Sequence, residues 1–314
     1  MVGAYLKRIS DAMRIQAAPD KTGSLAGKLG CPPDGKLLIV HADDLGITHS
    51  VNAATIRAFE TGLVNSGSMM APCPWFPEIA DYARSHTDAD LGLHLTLTSE
   101  RASCRWGPVS SKDKVRSLVD QDGYFHRDWE KTRVKVREVA VELRAQIEKA
   151  LAMGVQPTHL DSHQLILYSS GEDLFEMVVQ LGREYGLPVS VSRDWFSKWP
   201  YITHHSFGPN VIAVDYESEV RPDVTPDQWP GFYTDVVKNL RPGITELLIH
   251  LGYDDEELRA FSSDRESWGS AWRQRDFDFF TCSTFRELLR QYGIALVTWR
   301  DLGRVAFCEG KWLE

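Results

Sequence analysis

The chain has 314 residues, of which 43% are hydrophobic and 25% charged, a composition typical of a soluble globular protein. Its formal net charge is −9 and it has no long block of lysines or arginines, which argues against a protein that binds nucleic acid or an anionic membrane surface. The N-terminus lacks the apolar core of a signal peptide, no apolar run approaches a membrane span, and the five cysteines include no CxxC pair. We therefore predict a cytoplasmic protein without a disulfide framework.

The first 35 residues have a different pattern from the rest. A short amphipathic stretch from Leu6 to Ile15 gives way to a segment rich in Pro, Gly and Asp, which is typical of a tether. We predict an N-terminal extension over residues 1–35 and a single catalytic domain over residues 36–314.

From Lys36 onward, short apolar runs alternate with stretches of helical periodicity. One predicted helix follows Val51 and stops at Gly62, and the longest follows Thr132 and stops at Gly154. The apolar stripe of that longest helix consists of Val136, Val139, Leu143, Ile147 and Leu151. The seven predicted strands lie in KLLIVHA, LVNSGSMMA, DLGLHLTL, PTHLDSH, LPVSVSR, TELLIHLG and IALVTW.

Buried strands that alternate with helices predict an α/β fold with a parallel sheet covered on both faces. The number of strands favours a (β/α) barrel with seven or eight parallel strands over an open doubly wound sheet. Two long insertions interrupt the alternation, between Thr98 and Trp129 and between Trp195 and Trp229. In a barrel, such insertions gather at the carboxyl ends of the strands, where they wall off a site.

Acidic and histidine side chains occur where four of the predicted strands end, and these ends meet at the mouth of a barrel. They are Asp43 and Asp44 after the first run, His94 in the third, His159, Asp161 and His163 in the fourth, and His250 after TELLI. Each has a purely structural alternative, because Asp43-Asp44 could form a turn and helix cap and each histidine could be a buried hydrogen-bonding group. All of these alternatives would have to hold together, so we favour a shared site.

One carboxylate with two histidines suits a divalent ion that keeps open positions for water and substrate. A second, adjacent carboxylate suits a general base, and a further histidine could protonate a leaving amine or stabilise an oxyanion. This set of residues predicts metal-assisted hydrolysis of an amide. Zn or Mg is the first expectation for the ion, with Mn, Co and Ni left open.

The same motifs resemble the YdjC-like carbohydrate deacetylases, a group that contains chitooligosaccharide deacetylases and a hopanoid-associated branch. The similarity runs from about Lys36 to Leu302 and includes LLIVHADDLGIT, GLVNSGSMM, LGLHLTLT, PTHLDSHQ, TELLIHLGY and GIALVTWRDL. It implies a deformed (β/α) barrel related to the NodB-type polysaccharide deacetylases. It also implies a small N-acetylated sugar or a glycolipid as substrate, and a homodimer.

The resemblance also assigns roles to individual residues. It implies that Asp44, His94 and His163 bind the metal, that Asp43 is the base, that His250 is the acid or oxyanion stabiliser, and that His159, Asp161 and Arg193 orient the ligands or the substrate. The chain departs from the family pattern in two places. Gln164 and Leu165 follow His163 where further histidines are usual, and Leu251 replaces a proline after His250. These departures indicate that the substrate could differ.

Other interpretations stay open on the sequence alone. A metal-dependent phosphoesterase or amidohydrolase, or a non-catalytic ligand-binding relative, would use the same barrel mouth. The tryptophans of the later loops could stack against sugar rings, or they could pack the long insertions or an oligomer contact. They are Trp195, Trp199, Trp229, Trp268 and Trp272. The adjacent His204 and His205 are expected to lie at the surface.

Overall fold

The computed structural model describes residues 24–205 and 210–306, apart from the side chains of residues 204 and 205. Nine strands in these ranges form one sheet. They are β1 (Lys36–Leu45), β2 (Ser66–Met69), β3 (Leu91–Leu95), β4 (Leu160–Ser162), β5 (Val189–Ser192), β6 (Val211–Val214), β7 (Tyr216–Glu219), β8 (Gly243–Ile249) and β9 (Ile294–Leu296). Their order is β6-β5-β4-β3-β2-β1-β8-β7, with β9 also paired to β1, and every described strand pair is parallel. The predicted parallel, barrel-like α/β fold is confirmed.

Helices connect and cover the strands, as the alternation of the sequence predicts. They are α1 (Leu25–Lys28), α2 (His49–Thr61), α3 (Phe76–Ser85), α4 (Val136–Ala152), α5 (Ile166–Ser169), α6 (Glu172–Tyr185), α7 (Pro200–His205), α8 (Trp229–Lys238), α9 (Glu256–Phe261), α10 (Ser270–Thr281), α11 (Ser283–Gln291) and α12 (Trp299–Ala306). Short 3-10 turns lie at Lys112–Lys114, Arg116–Leu118, His163–Leu165 and Arg193–Trp195. Within the described ranges, none of the helices combines the length and the apolar character that a membrane crossing requires.

Strand β1 contributes apolar side chains to two separate cores, one on each face of the sheet. Its residues alternate between the two faces of the sheet, as strand geometry requires. Leu38 and Val40 belong to the large core beneath the helices, whereas Leu37 and Ile39 belong to a smaller core inside the barrel. Polar side chains follow the inner apolar positions toward the carboxyl end of the strand, so the barrel interior is apolar at one end and polar at the other.

Helix α1 closes the apolar end of the barrel. Its Leu25 and Ala26, with Leu29 after it, pack against the inner core, and Cys31 is buried there. The backbone N–H of Gly243 donates to Gly35, which joins this segment to the start of β8. The amphipathic stretch predicted for Leu6 to Ile15 lies outside the described residues.

The end of β1 carries a backbone irregularity that shapes the site. The pairing of β1 with β2 shifts register between Ala42 and Leu45, and Asp44 adopts a left-handed conformation with φ 69°. Aspartate is among the few residues that tolerate this region, and bulges of this kind re-aim side chains beside active sites. Gly46 follows with φ 96°, and a Cβ there would lie 3.2 Å from the Cα of Phe76. The turn after β1 therefore needs glycine at this position.

The strand count exceeds the predicted seven or eight, because two strands lie in what the sequence analysis treats as an insertion. All seven predicted strands are present, but β6 and β7 occupy the segment between Trp195 and Trp229. The sequence of β7, Tyr-Glu-Ser-Glu, has no apolar run, because its glutamates face the cavity at the barrel mouth. Among the described strands no pairing joins β6 to β7, so the barrel stays open at this seam.

Helices α2 and α4 confirm the two predicted helices, with one error in the predicted apolar stripe. Helix α2 ends at Gly62, whose φ of 69° is left-handed. In α4 the central stripe residues are buried, but Val136 and Leu151 at its ends are 40% and 43% exposed. The buried face of α4 also carries polar groups, since Gln146 bonds both the backbone N–H and the C=O of Thr96.

Candidate active site

A cavity of about 430 Å³ opens at the carboxyl ends of the strands. Five of the predicted site residues line it, and they come from four separate strand ends. They are Asp43, Asp44, His94, His163 and His250. The bulge in β1 places Asp43 and Asp44 on the same cavity even though they are neighbours in sequence.

Three of these residues converge on one point. Asp44 Oδ1 lies 3.3 Å from His163 Nδ1 and 3.7 Å from His94 Nε2. Ligand atoms that share a tetrahedral ion at about 2.1 Å lie about 3.4 Å apart. Asp44 Oδ1 is also buried and has no hydrogen-bond partner among the described residues. This spacing and the unpartnered oxygen fit a divalent ion, and Asp44, His94 and His163 would hold it.

The remaining ring nitrogens of both histidines are held by carboxylates. His94 Nδ1 lies 2.9 Å from Asp161 Oδ1, and His163 Nε2 lies 3.2 Å from Glu100 Oε2. Such contacts fix the ring orientation and leave the other nitrogen free to bind an ion. Burial opposes a charge on His163, but Glu100 and Asp44 raise the pKa of its imidazole to about 10. An ion would therefore have to displace a proton from His163.

Asp43 lies beside the trio as an ionised carboxylate. Its Oδ1 is 3.8 Å from His94 Nδ1 and 3.1 Å from His41 Nε2. Ser68 donates to the same oxygen at 3.2 Å. Burial alone would raise the pKa of Asp43, but His94 and His41 hold it below its ordinary value. The carboxylate is therefore able to accept a proton at the edge of the predicted ion site.

His250 faces both aspartates across the cavity. Its Nε2 lies 3.9 Å from Asp44 Oδ2 and 4.0 Å from Asp43 Oδ2. Burial lowers the pKa of His250 to about 4, so the imidazole is neutral near pH 7. A neutral ring offers one N–H to a substrate oxygen, in keeping with the predicted role as an oxyanion stabiliser.

Comparison with known proteins agrees with this geometry. A family model described as YdjC-like protein matches residues 37–291. The chain belongs to the YdjC-like family. It is 33% identical to the carbohydrate deacetylase of Clostridium beijerinckii over 84% of this chain and 99% of that protein. It is also 30% identical to the carbohydrate deacetylase of Thermoanaerobacter pseudethanolicus over 73% of this chain and 86% of that protein.

A solved structure from Enterococcus faecalis V583, described as a candidate cellobiose-phosphate cleavage protein, has the same fold. It superposes with a TM-score of 0.71 at 27% identity, over 85% of this chain and 99% of that one. The resemblance inferred from the motifs and the barrel-like fold are both confirmed.

Beneath the cavity of this YdjC-like chain lies a histidine that the sequence analysis missed. His41 is fully buried, and its Nε2 lies 3.2 Å from Asp161 Oδ2 as well as beside Asp43. Its Nδ1 lies 3.6 Å from Glu246. Although burial opposes protonation, Asp161 and Asp43 raise the pKa of His41 well above its ordinary value. His41 could have been recognised from the sequence, because side chains two residues apart on a strand lie on the same face and Asp43 was already a predicted site residue.

His159 lies deeper inside the barrel than the predicted ion ligands. It is fully buried, bonds Thr158 Oγ1 through Nδ1 at 2.9 Å, and packs on Trp299. A Cβ at Gly92 would lie 2.4 Å from its Nε2, so the neighbouring strand needs glycine at that point. Burial lowers the pKa of His159 to about 4. His159 therefore supports the site from below rather than lining the cavity.

Two further groups of residues have metal-like spacing. One combines His41 with His159 and Asp161, and the other combines Asp43 with His94 and Asp161. Both depend on Asp161, whose two oxygens already lie beside His94 and His41. His159 Nε2 in the first of these groups is also a buried atom without a hydrogen-bond partner among the described residues. The trio around Asp44 differs because all three of its residues line the cavity, where substrate and water can reach an ion.

Helix α10 supplies two buried charged groups that no local pattern in the sequence marks as part of a site. Arg273 Nη2 donates to Asp44 Oδ2 at 2.5 Å, and Asp276 Oδ2 accepts the backbone N–H of His250 at 2.9 Å. The other oxygen of Asp276 accepts from Trp229 and Tyr233. Residues three apart share one helix face, so a single helix fixes both sides of the cavity.

We expect Asp276→Asn to lower the free energy of unfolding by about 1–3 kcal/mol, because one acceptor oxygen becomes an amide NH2, so either the buried N–H of His250 or the donors of Trp229 and Tyr233 lose their acceptor. Chemical denaturation measures the difference. Asp278→Asn is the control on the same helix, since Asp278 is exposed and accepts from the side chain of Gln274. Equal unfolding free energies for the two variants would show that the His250 N–H does not depend on Asp276.

Arg193 is not brought to the cavity. Its Nε lies 3.3 Å from Asp215, its guanidinium lies over Phe196, and 54% of its side chain is exposed. Among the described residues, no contact joins Arg193 to the cavity lining, so its predicted role in orienting the substrate stays a prediction. His204 and His205 have side chains outside the described residues.

Most of the tryptophans considered for sugar stacking pack against protein rather than offering a free face. Trp195, Trp229 and Trp272 are all less than 10% exposed. The ring of Trp268 lines the cavity, but it contacts Trp272 at 5.1 Å and lies under the guanidinium of Arg265 at 4.8 Å. The packing alternative considered for the sequence describes these side chains better than sugar stacking.

Proposed function

We propose that this YdjC-like chain is a metal-dependent deacetylase that hydrolyses the acetamide of a small N-acetylated sugar or sugar-bearing lipid. Its relatives named carbohydrate deacetylase support the reaction class. The observation that carries the proposal is the unpartnered oxygen of Asp44 between His94 and His163, with the ionised Asp43 beside it in one cavity.

Each residue has a role that follows from its position. When bound, a divalent ion supplies a more acidic water and polarises the amide carbonyl. Asp43 accepts the proton of the attacking water, because its carboxylate is ionised and lies beside the trio. His250 donates its N–H to the developing oxyanion from across the cavity. The proton that Asp43 took from the water then passes, by way of the His250 ring, to the leaving amine as the C–N bond breaks.

Neighbouring groups hold these residues in place. Asp161 and Glu100 fix the rings of His94 and His163, and Arg273 fixes the second oxygen of Asp44. His94 and, from below, His41 hold the pKa of Asp43 under its ordinary value and so keep it ionised. This reaction requires several side chains to be held in a fixed geometry around the substrate, and these contacts supply that positioning.

The test is acetate release from a panel of N-acetylated mono- and disaccharides. The protein is first stripped of metal and then given Zn, Mg, Mn, Co or Ni in turn. Release that depends on an added ion, with one ion bound per chain, supports the proposal. Two ions per chain and phosphate release from phosphate esters would instead support the rival phosphoesterase.

A further inference from the structure

Strand β7 presents two carboxylates that the proposed reaction does not use. Glu217 and Glu219 are two residues apart on the strand, so both face the cavity, and both line it. Glu217 Oε1 accepts the indole N–H of Trp195 at 3.2 Å, and Glu219 Oε1 accepts that of Trp268 at 2.9 Å. Two neutral donors thus fix the orientation of two acids on one wall.

These acids have few counter-charges. In the part of the chain that the structure describes, His250 Nδ1 at 3.6 Å is the basic group within 4 Å of Glu219, and Glu217 has none. Burial raises the pKa of Glu217 to about 8 and that of Glu219 to about 7. A carboxyl group has acceptor sites beyond the single indole bond, and because both side chains are only partly buried and line the cavity, those sites are open to a ligand.

The same space contains a buried donor without an acceptor. Arg273 lines the cavity with a side chain that is 2% exposed, and its Nη1 has no hydrogen-bond partner among the described residues. The residues that line the cavity therefore include both acceptors and a donor without a partner. A ligand rich in hydroxyl groups can satisfy both, because each hydroxyl donates one hydrogen bond and accepts others.

We propose that Glu217 and Glu219, which we call the recognition wall, bind ring hydroxyls of the sugar whose acetamide is cleaved. As a consequence, the chain binds uncharged N-acetylated sugars in preference to acidic ones. This inference rests on the proposed function. At a pH above the pKa values of both glutamates, this wall carries two negative charges and would repel a carboxylate or phosphate on the same ring. Arg265 also lines the cavity, but its guanidinium covers the ring of Trp268.

The experiment compares Glu217→Gln and Glu219→Gln with the wild-type protein on N-acetylglucosamine and on N-acetylmuramic acid, its carboxylate-bearing analogue. At pH 9, where both glutamates are ionised, we expect each variant to raise KM for N-acetylglucosamine about tenfold, the effect of losing one hydrogen bond to a charged group. The preference for the neutral over the acidic sugar should fall by a similar factor. Glu176→Gln is the matched control, because Glu176 is exposed on α6.

Two outcomes overturn the inference: unchanged KM values in both variants, or a wild-type preference for the acidic sugar. A binding measurement separates it from the proposed function. Trp195 and Trp268 donate to the two glutamates, so their fluorescence should change when N-acetylglucosamine binds. If N-acetylglucosamine changes the fluorescence, the glutamine variants weaken that change and no acetate is released, sugar binding by the recognition wall is supported and the deacetylase reaction is refuted. If there is neither a fluorescence change nor acetate release, both proposals are refuted.

Discussion

Replacing Asp43 with asparagine is expected to lower kcat for acetate release by about a thousandfold while the divalent ion stays bound. Asparagine keeps the shape of the side chain but cannot accept the proton of the attacking water. The three ion ligands lie beside Asp43 and do not depend on it, since Asp44 Oδ1 faces His163 and His94 directly. Steady-state kinetics and metal analysis on the same preparation give both quantities.

The control for this substitution is Asp113→Asn, because Asp113 is 83% exposed and pairs with a neighbouring arginine on the surface. It should leave both kcat and metal content unchanged. Full activity in Asp43→Asn would remove Asp43 from the mechanism. Loss of the ion together with activity would instead make Asp43 an additional ligand, which its position beside His94 also permits.

The parts of the fold that could be predicted from the sequence are those marked by a pattern within a few neighbouring residues. Short apolar runs such as LLIV in β1 indicate buried strands. All seven strands predicted from such runs are present. Strand β7 could not be predicted, because its polar side chains face a cavity that exists only once the barrel has formed. Similarly, the ends of the α4 stripe are exposed because other elements, rather than α4 itself, decide which turns are covered.

The same distinction applies to the site. Aspartates and histidines at strand ends are recognisable, since the ends of parallel strands must meet at one side of the sheet. Arg273 and Asp276 lie more than 220 residues after Asp43 on a helix of ordinary composition, and nothing local marks them as neighbours of the cavity. Glu100 lies in an insertion whose path depends on packing against α4. Their roles follow from tertiary contacts alone.

The interior below the cavity explains how so many acids can lie close together. Asp43, Asp161 and Glu246 all lie within 4 Å of His41, which remains protonated among them. A buried carboxylate without such a partner would become neutral, because desolvation penalises its charged form. His94 and the buried His41 together thus let the barrel keep an ionised base at its mouth.

Replacing His94 with alanine is expected to remove the divalent ion and, with it, acetate release, each by more than a hundredfold. Loss of a residue that only supports a ligand typically costs 10- to about 100-fold, and His94 is itself a ligand in the proposed site. The measurement is metal content after dialysis against a weak chelator, followed by kinetics with ion added back. His86→Ala is the control, since that exposed histidine stacks on Tyr82 far from the cavity lining. If His94→Ala binds the ion as tightly as the wild type, the ion lies elsewhere, and the buried group of His41, His159 and Asp161 becomes the site to test next.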